Sequence, residues 1–240
     1  LQVSSYSGSL ADAAGGACGA ATGDLGSVTV DGDTPDITGV AATDGDYGVG
    51  ETLSITVTFD QAVDVTSSPT LTLSNSDIAT YSSGTGSTDI VFTTTIAEGD
   101  SVATDLSVTA INANGGNIED AADNDFSTTI GNGDLGTVTV DGDAPDFVAD
   151  SCAATDAAYG VGEVLTITCT WDEAVVTSDG TLTLSNSDTA SYSSGSGTTA
   201  LVFTTTIAED DATSSDLSVS SYGGTIADAA GGTAGAASGD

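Results

Sequence analysis

The sequence predicts an all-β chain of tandem β-sandwiches, each of seven short strands, and three observations predict it. Apolar residues alternate with Ser and Thr in many short runs, clusters of Gly, Asn, Asp and Ser separate those runs, and the whole pattern occurs twice. A strand points successive side chains to opposite faces, so an alternating run buries one face and wets the other. No stretch carries a convincing helical period.

The repeat sets the organisation. Val28 to Asp36 (ValThrValAspGlyAspThrProAsp) returns from Val138 to Asp146 as ValThrValAspGlyAspAlaProAsp. Tyr47–Glu51 returns at Tyr159–Glu163, Thr70–Asp77 at Thr181–Asp188, and Phe92–Glu98 at Phe203–Glu209, a period of about 111 residues. Ala11–Gly16 also matches Ala227–Gly232. The expected divisions are 1–30, the C-terminal strands of a preceding module; 31–141, a complete module; and 142–240, a module without its last strand. Asp240 aligns with Asp24, after which LeuGlySerValThrVal follows. Either a longer array continues beyond the last residue or a neighbouring chain supplies that strand.

Within the complete module the expected strands fall near 36–42, 51–59, 69–74, 78–83, 89–97, 105–111 and 135–140. Leu53, Ile55, Val57 and Phe59 alternate with Ser and Thr, as do Leu165, Ile167, Cys169 and Trp171. Leu71 with Leu73, Ile90 with Phe92 and Ile96, Leu106 with Val108, and Val138 with Val140 follow suit. β-Branched Thr and Val fill the runs. Seven such strands in about 110 residues, all antiparallel in pattern, read as two packed sheets. The long connection before the last strand has room for one more short strand.

The order GlyValGlyGluThrLeuSerIleThrValThrPheAspGlnAlaValAspVal, ThrLeuThrLeuSerAsn, AlaThrTyrSerSerGly, PheThrThrThrIleAlaGluGlyAsp and IleGluAspAlaAlaAspAsn resembles bacterial Ig-like tandem repeats of large surface adhesins. The resemblance covers essentially the whole chain. It implies immunoglobulin-like sandwiches in an extracellular spacer or adhesive array, often calcium-dependent. The chain departs from that pattern in lacking every basic residue and in carrying cysteines.

Composition excludes more than it suggests. There are 36 Asp plus Glu and no Lys, Arg or His, a formal charge of −36. With no cation to neutralise phosphates, nucleic-acid binding is excluded as a reading, and an anionic membrane surface repels the chain. No His removes the imidazole base and the usual zinc ligands; no Lys removes Schiff bases and Lys–Asn cross-links. Carboxylate-pair chemistry is the common mechanism left open. Self-repulsion of this size destabilises a compact state unless salt or bound cations screen it. At ~1 M salt screening acts within roughly 3 Å, against roughly 10 Å at 0.1 M. The expected location is therefore a saline or calcium-containing exterior or cell surface. No apolar run is long enough to cross a bilayer.

Three cysteines occur. Cys152 aligns with Val40 and Cys169 with Val57, both inward-facing on neighbouring expected strands. Two valines replaced together suit a disulfide, because paired strands bring Cα atoms within about 7 Å; two buried free thiols are the alternative. Cys18 is left over, either joined to another chain or free.

The acidic residues gather at the module ends once strand directions are traced. Asp44, Asp46 and Glu51 fall in the first loop, Glu98, Asp100 and nearby Asp105 in a second at the same end, and Asp141, Asp143 and Asp146 in the linker leaving that end. Asp172 and Glu173 of the following module face them. A hard divalent cation with 6–8 oxygen ligands relieves such crowding, and Ca²⁺ tolerates irregular geometry better than Mg²⁺. The expected ligands are drawn from Asp44, Asp46, Glu51, Glu98, Asp100, Asp141, Asp143, Asp146 and Asp172, with Asp31, Asp33, Asp36 and Asp60 acting in the same manner at the upper junction. The alternative is a solvated acidic surface whose Asp-Gly turns merely shape loops.

The leading functional expectation is a structural array, the stalk or fibre of a surface adhesin or filament. Calcium stiffens its junctions, and its partners are neighbouring modules or subunits together with a surface ligand of unknown kind. In a sharper form one subunit donates a strand to the next. A glycan- or ice-binding module is the second class, suggested by the Thr rows Thr93–Thr95 and Thr204–Thr206. A carboxylate-pair hydrolase is the third, disfavoured because the acids recur at loop ends in each module, as structural sites do. The chain is expected not to be an enzyme.

Overall fold

The computed structural model describes residues 2–3, 5, 11, 13–16, 23–24, 26–127 and 129–234. Among them the protein is all-β, with no helix, so no helix is long and apolar enough to cross a membrane. A short antiparallel pair, β1 (Gln2–Val3) with β2 (Gly23–Asp24), precedes the first repeat. That repeat contributes β3 (Ile37–Ala42), β4 (Gly45–Tyr47), β5 (Thr52–Val65), β6 (Thr70–Leu73), β7 (Ile78–Ser83), β8 (Ser87–Thr95), β9 (Val108–Asn112), β10 (Ile118–Glu119) and β11 (Val138–Val140). The second contributes β12 (Ala153–Ala154), β13 (Val164–Val175), β14 (Thr181–Leu184), β15 (Thr189–Ser194), β16 (Thr198–Thr206) and β17 (Val219–Gly223).

The two repeats share one strand order. In the first it is β10-β5-β8-β7-β6-β9, with β3 also on β5; in the second it is β12-β13-β16-β15-β14-β17. Two packed sheets were the expectation, yet hydrogen bonding runs continuously from one layer to the other. Register breaks between Thr58 and Val63 of β5 and between Tyr81 and Ser83 of β7 make this possible. The second repeat breaks register at the same places, between Thr170 and Val175 and between Tyr192 and Ser194. A bulge bends and twists its strand, so one long strand serves both layers and the sheet curls around its own core.

The antiparallel expectation also fails at one place. The chain leaves β5 after Ala42 and takes a new partner, so that β4 pairs parallel with β11, Gly45 to Tyr47 against Val138 to Val140. The long connection before β11 does hold a short strand, β10, paired with the far end of β5.

Each curled sheet encloses one apolar cluster. Leu53, Ile55, Val57 and Phe59 on the inner face of β5 are buried, as are Leu165, Ile167, Cys169 and Trp171 on β13. Phe59 meets Phe126 edge-on at 6.0 Å, and Trp171 meets Phe147 edge-on at 5.5 Å, a favourable quadrupole geometry. The turn into β8 demands glycine. Gly84 has φ +109°, and a Cβ there would lie 2.2 Å from the Asp89 carbonyl oxygen; Gly195 repeats this with φ +107°.

Cys152 and Cys169 are joined by a disulfide, with Cα atoms 4.0 Å apart. In the first repeat the equivalent residues Val40 and Val57 face each other across β3 and β5. Cys18 lies outside the described residues.

Candidate functional site

The junction between the repeats is built by backbone meeting backbone. The β4–β5 turn of the first repeat lies against the 228–232 turn of the second. A Cβ added at Gly48 would sit 2.6 Å from the Gly232 nitrogen and 2.7 Å from the Ala230 oxygen. The β8–β9 loop grips the linker from the other side. Gly99 N donates to Gly142 O at 2.8 Å, and Ala144 N donates to Glu98 Oε2 at 3.2 Å. A Cβ at Gly142 would fall 2.2 Å from the Asp100 oxygen, so this linker position accepts only glycine without movement.

A cavity of about 320 Å³ opens within this junction, lined by Asp46, Asp141, Glu173 and Asp228 among others. One oxygen each from Asp141, Glu173 and Asp228 lies within 4.8 Å of the others. Asp141 comes from the linker, Glu173 from the bulged end of β13, and Asp228 from the turn after β17. Asp228 is only 3% exposed, and its Oδ2 has no hydrogen-bond partner; Glu173 Oε1 is likewise buried and unpartnered. An orphaned buried carboxylate oxygen is costly unless a charge or donor meets it. The chain owns no basic side chain to supply one.

Burial foremost, then the charges of Asp228, Asp141, Asp143 and Asp172, push the Glu173 carboxyl up to about 7 from 4.5. Its folded-state value lies above the unfolded one, so the folded chain binds more protons between pH 4.5 and 7. Stability from this group is complete below that window and is lost as pH rises through it. With divalent cations chelated, the melting temperature should therefore fall from pH 5 to pH 8 more steeply for the native chain than for Glu173→Gln. Equal slopes for the two proteins would refute this reading of the site.

Of the residues expected as ligands, Asp141 alone belongs to this group. Most of the others spend an oxygen on a hydrogen bond that shapes a loop or joins two segments. Asp31 accepts from Asp33 N and Asp60 from Asp36 N; Asp141 likewise accepts from Asp143 N and Asp172 from Asp146 N. Asp44 accepts from Thr137 N, Asp46 from the Thr139 hydroxyl, Glu51 from Gly48 N, and Asp100 from Ala97 N. The upper junction, where Asp31, Asp33, Asp36 and Asp60 are expected to act in the same manner, lies partly outside the described residues. Among the described residues no acidic group gathers there, because the counterparts of Glu173 and Gly232 are the amides Gln61 and Asn124. Glu173 was placed at the junction by strand direction but not counted as a ligand. Asp228 was missed, although its signal is in the repeat: IleGluAspAlaAla at Ile118–Ala122 returns as IleAlaAspAlaAla at Ile226–Ala230.

A second feature is an open groove of about 1050 Å³ on the second repeat, lined by Phe147, Tyr159, Leu165, Ile167, Leu184 and Leu217 among others. The first repeat has the same walls in Tyr47, Leu53, Ile55, Leu73 and Leu106, but β11 lies across them. Val138 and Val140 are buried, and Leu106 N donates to Val138 O at 2.9 Å. Leu106 is 0% exposed, whereas its counterpart Leu217 is 38% exposed. The third copy of this ValThrVal sequence, at residues 28–30, has no strand partner among the described residues, with Val28 46% and Val30 77% exposed. The Thr rows Thr93–Thr95 and Thr204–Thr206 lie on β8 and β16, which are paired along both edges, so they offer a sheet face and no open edge.

No protein-family model matches the chain, and no curated protein matches it.

Proposed function

We propose that the chain is extracellular structural material, an array of immunoglobulin-like repeats in the stalk or fibre of a surface adhesin or filament, and that it is not catalytic. The observation that carries this reading is the duplicated fold: the ValThrVal of β11 seals the groove of the first repeat, the second repeat carries the same groove walls, and ValThrVal occurs again at 28–30. Such an edge and such a segment are complementary by construction, since the groove already accepts this sequence once within the chain. Strand addition supplies backbone hydrogen bonds along the edge and places alternate side chains in the core. In the sharper form of this reading, residues 28–30 of a neighbouring chain add to the groove of the second repeat as β11 does to the first, so the array extends one repeat into the next. Divalent cations, Ca²⁺ foremost, fix the angle at the junction, where carboxylates meet without basic partners. The resemblance to bacterial Ig-like adhesin repeats points the same way.

Light scattering over a range of concentrations tests the assembly. The full chain should grow in mass with concentration, a peptide of residues 25–36 should cap that growth, and Val28→Asp with Val30→Asp should abolish it. A chain that stays monomeric throughout, and whose melting temperature ignores the peptide, would sink the proposal.

A further inference from the structure

We propose that Asp141, Glu173 and Asp228 form a divalent-cation site of oxygen ligands, and that the first repeat holds the same site locked in a cation-free form by two side-chain amides. This deepens the cation-stiffened junction of the proposed function and rests on that reading for its role, though not for its chemistry.

The two repeats supply the comparison. Asp120 and Asp228 occupy the same turn: each donates its N–H to the carbonyl four residues on, 3.1 Å to Asn124 and 2.9 Å to Gly232, and each accepts the return N–H on Oδ1 at 3.0 Å. They are the two buried acidic residues among those described, at 4% and 3% exposure. Their second oxygens differ. Asp120 Oδ2 accepts from Asn124 Nδ2 at 3.0 Å and from Gln61 Nε2 at 3.4 Å. Asn124 Nδ2 also reaches the carbonyls of Asp31 and Asp33 in the preceding linker, at 3.4 and 3.1 Å. These hydrogen bonds, Asn124 first, hold the Asp120 carboxyl below its ordinary range.

In the second repeat both amides are gone. Glu173 stands where Gln61 stands, and Gly232 stands where Asn124 stands. Donors become acceptors or disappear. Asp228 Oδ2 and Glu173 Oε1 are left buried without partners, facing a linker carboxylate. Where amides bridge linker and turn in the first repeat, the second brings three carboxylate oxygens together. Three oxygens within 4.8 Å of one another lie within roughly 2.8 Å of a common point, so small side-chain adjustments bring all three to a single Ca²⁺ at roughly 2.4 Å. Water and nearby carbonyls complete a shell of 6–8 oxygens. Hard oxygen ligands alone, with no thiolate or imidazole, favour hard cations over Zn²⁺ and Cu²⁺, and an irregular cluster suits Ca²⁺ better than Mg²⁺.

The test uses the full chain in dilute solution, with CaCl₂ as the probe and ionic strength held constant by NaCl so that screening does not change. The native chain should take up one tightly held ion by equilibrium dialysis. Its second-repeat melting temperature should rise on the order of 10 °C at a hundredfold excess over Kd. Glu173→Gln, which copies Gln61, should lose the tight ion and the rise while melting higher than the native chain in EDTA. The reciprocal pair Gln61→Glu with Asn124→Gly should take up a second tight ion. Equal calcium uptake with and without Glu173, or a second ion failing to appear in a folded reciprocal variant, would overturn the proposal. Because the readout is on monomers, failure to assemble with calcium uptake intact sinks the array alone, and assembly without a tight ion sinks this site alone.

Discussion

Val138→Asp should cost the first repeat about 4 kcal/mol or more, whereas Val28→Asp should cost under about 0.5 kcal/mol, although both stand first in an identical ValThrVal. Val138 is fully buried against the core, and its strand caps β4 through parallel pairing. A carboxylate there has no basic residue anywhere in the chain to pair with. It must either remain charged in an apolar site or expel β11 and open the groove. Domains are stable by only about 5–15 kcal/mol, so the loss is a large share of the total. Val28 is half exposed and has no strand partner among the described residues, so its replacement alters little beyond one more surface charge. Denaturant unfolding measures both. Similar midpoint shifts for the two variants would mean that the sealed groove of the first repeat is not what holds it together.

Replacing Cys152 and Cys169 together by valine should lower the stability of the second repeat by about 3 kcal/mol, on the order of 10 °C in melting temperature. The cross-link closes a loop across 17 residues and restricts the unfolded chain. Valine should fit without a cavity, because Val40 and Val57 already occupy the same paired positions in the first repeat. The change then isolates the covalent constraint from the packing. Calorimetry of the native chain with and without reductant provides the check. The double variant should match the reduced protein and ignore reductant itself. A double variant melting with the oxidised native chain would assign the disulfide no stabilising role.

Much of the fold was legible because alternation is a local property. Leu53, Ile55, Val57 and Phe59 announce an inner face whatever they pack against, and the strands near 69–74, 78–83 and 89–97 emerged as β6, β7 and β8 with small shifts at their ends. The repeat let Cys152 and Cys169 be compared with a valine pair, so their neighbourhood followed from two copies of one pattern. The acidic cluster at the junction was legible in place but not in membership. Asp-rich linkers mark the hinges, yet an aspartate readily accepts from a backbone N–H, in its own turn for Asp31 and from a distant segment for Asp60 and Asp172.

By itself the sequence determined an acidic, all-β chain, a duplicated pattern, and the apolar faces of its strands. A backbone pleat with a period of two writes those features into neighbouring residues. Only the tertiary structure decided that bulges join the two layers into one curled sheet, that β11 runs parallel to β4, and that Glu173 and Asp228 meet Asp141. Those outcomes depend on where distant loops come to rest when one repeat packs on the next. There the loss of two amides between copies, invisible in hydrophobic pattern, leaves buried oxygens facing one another.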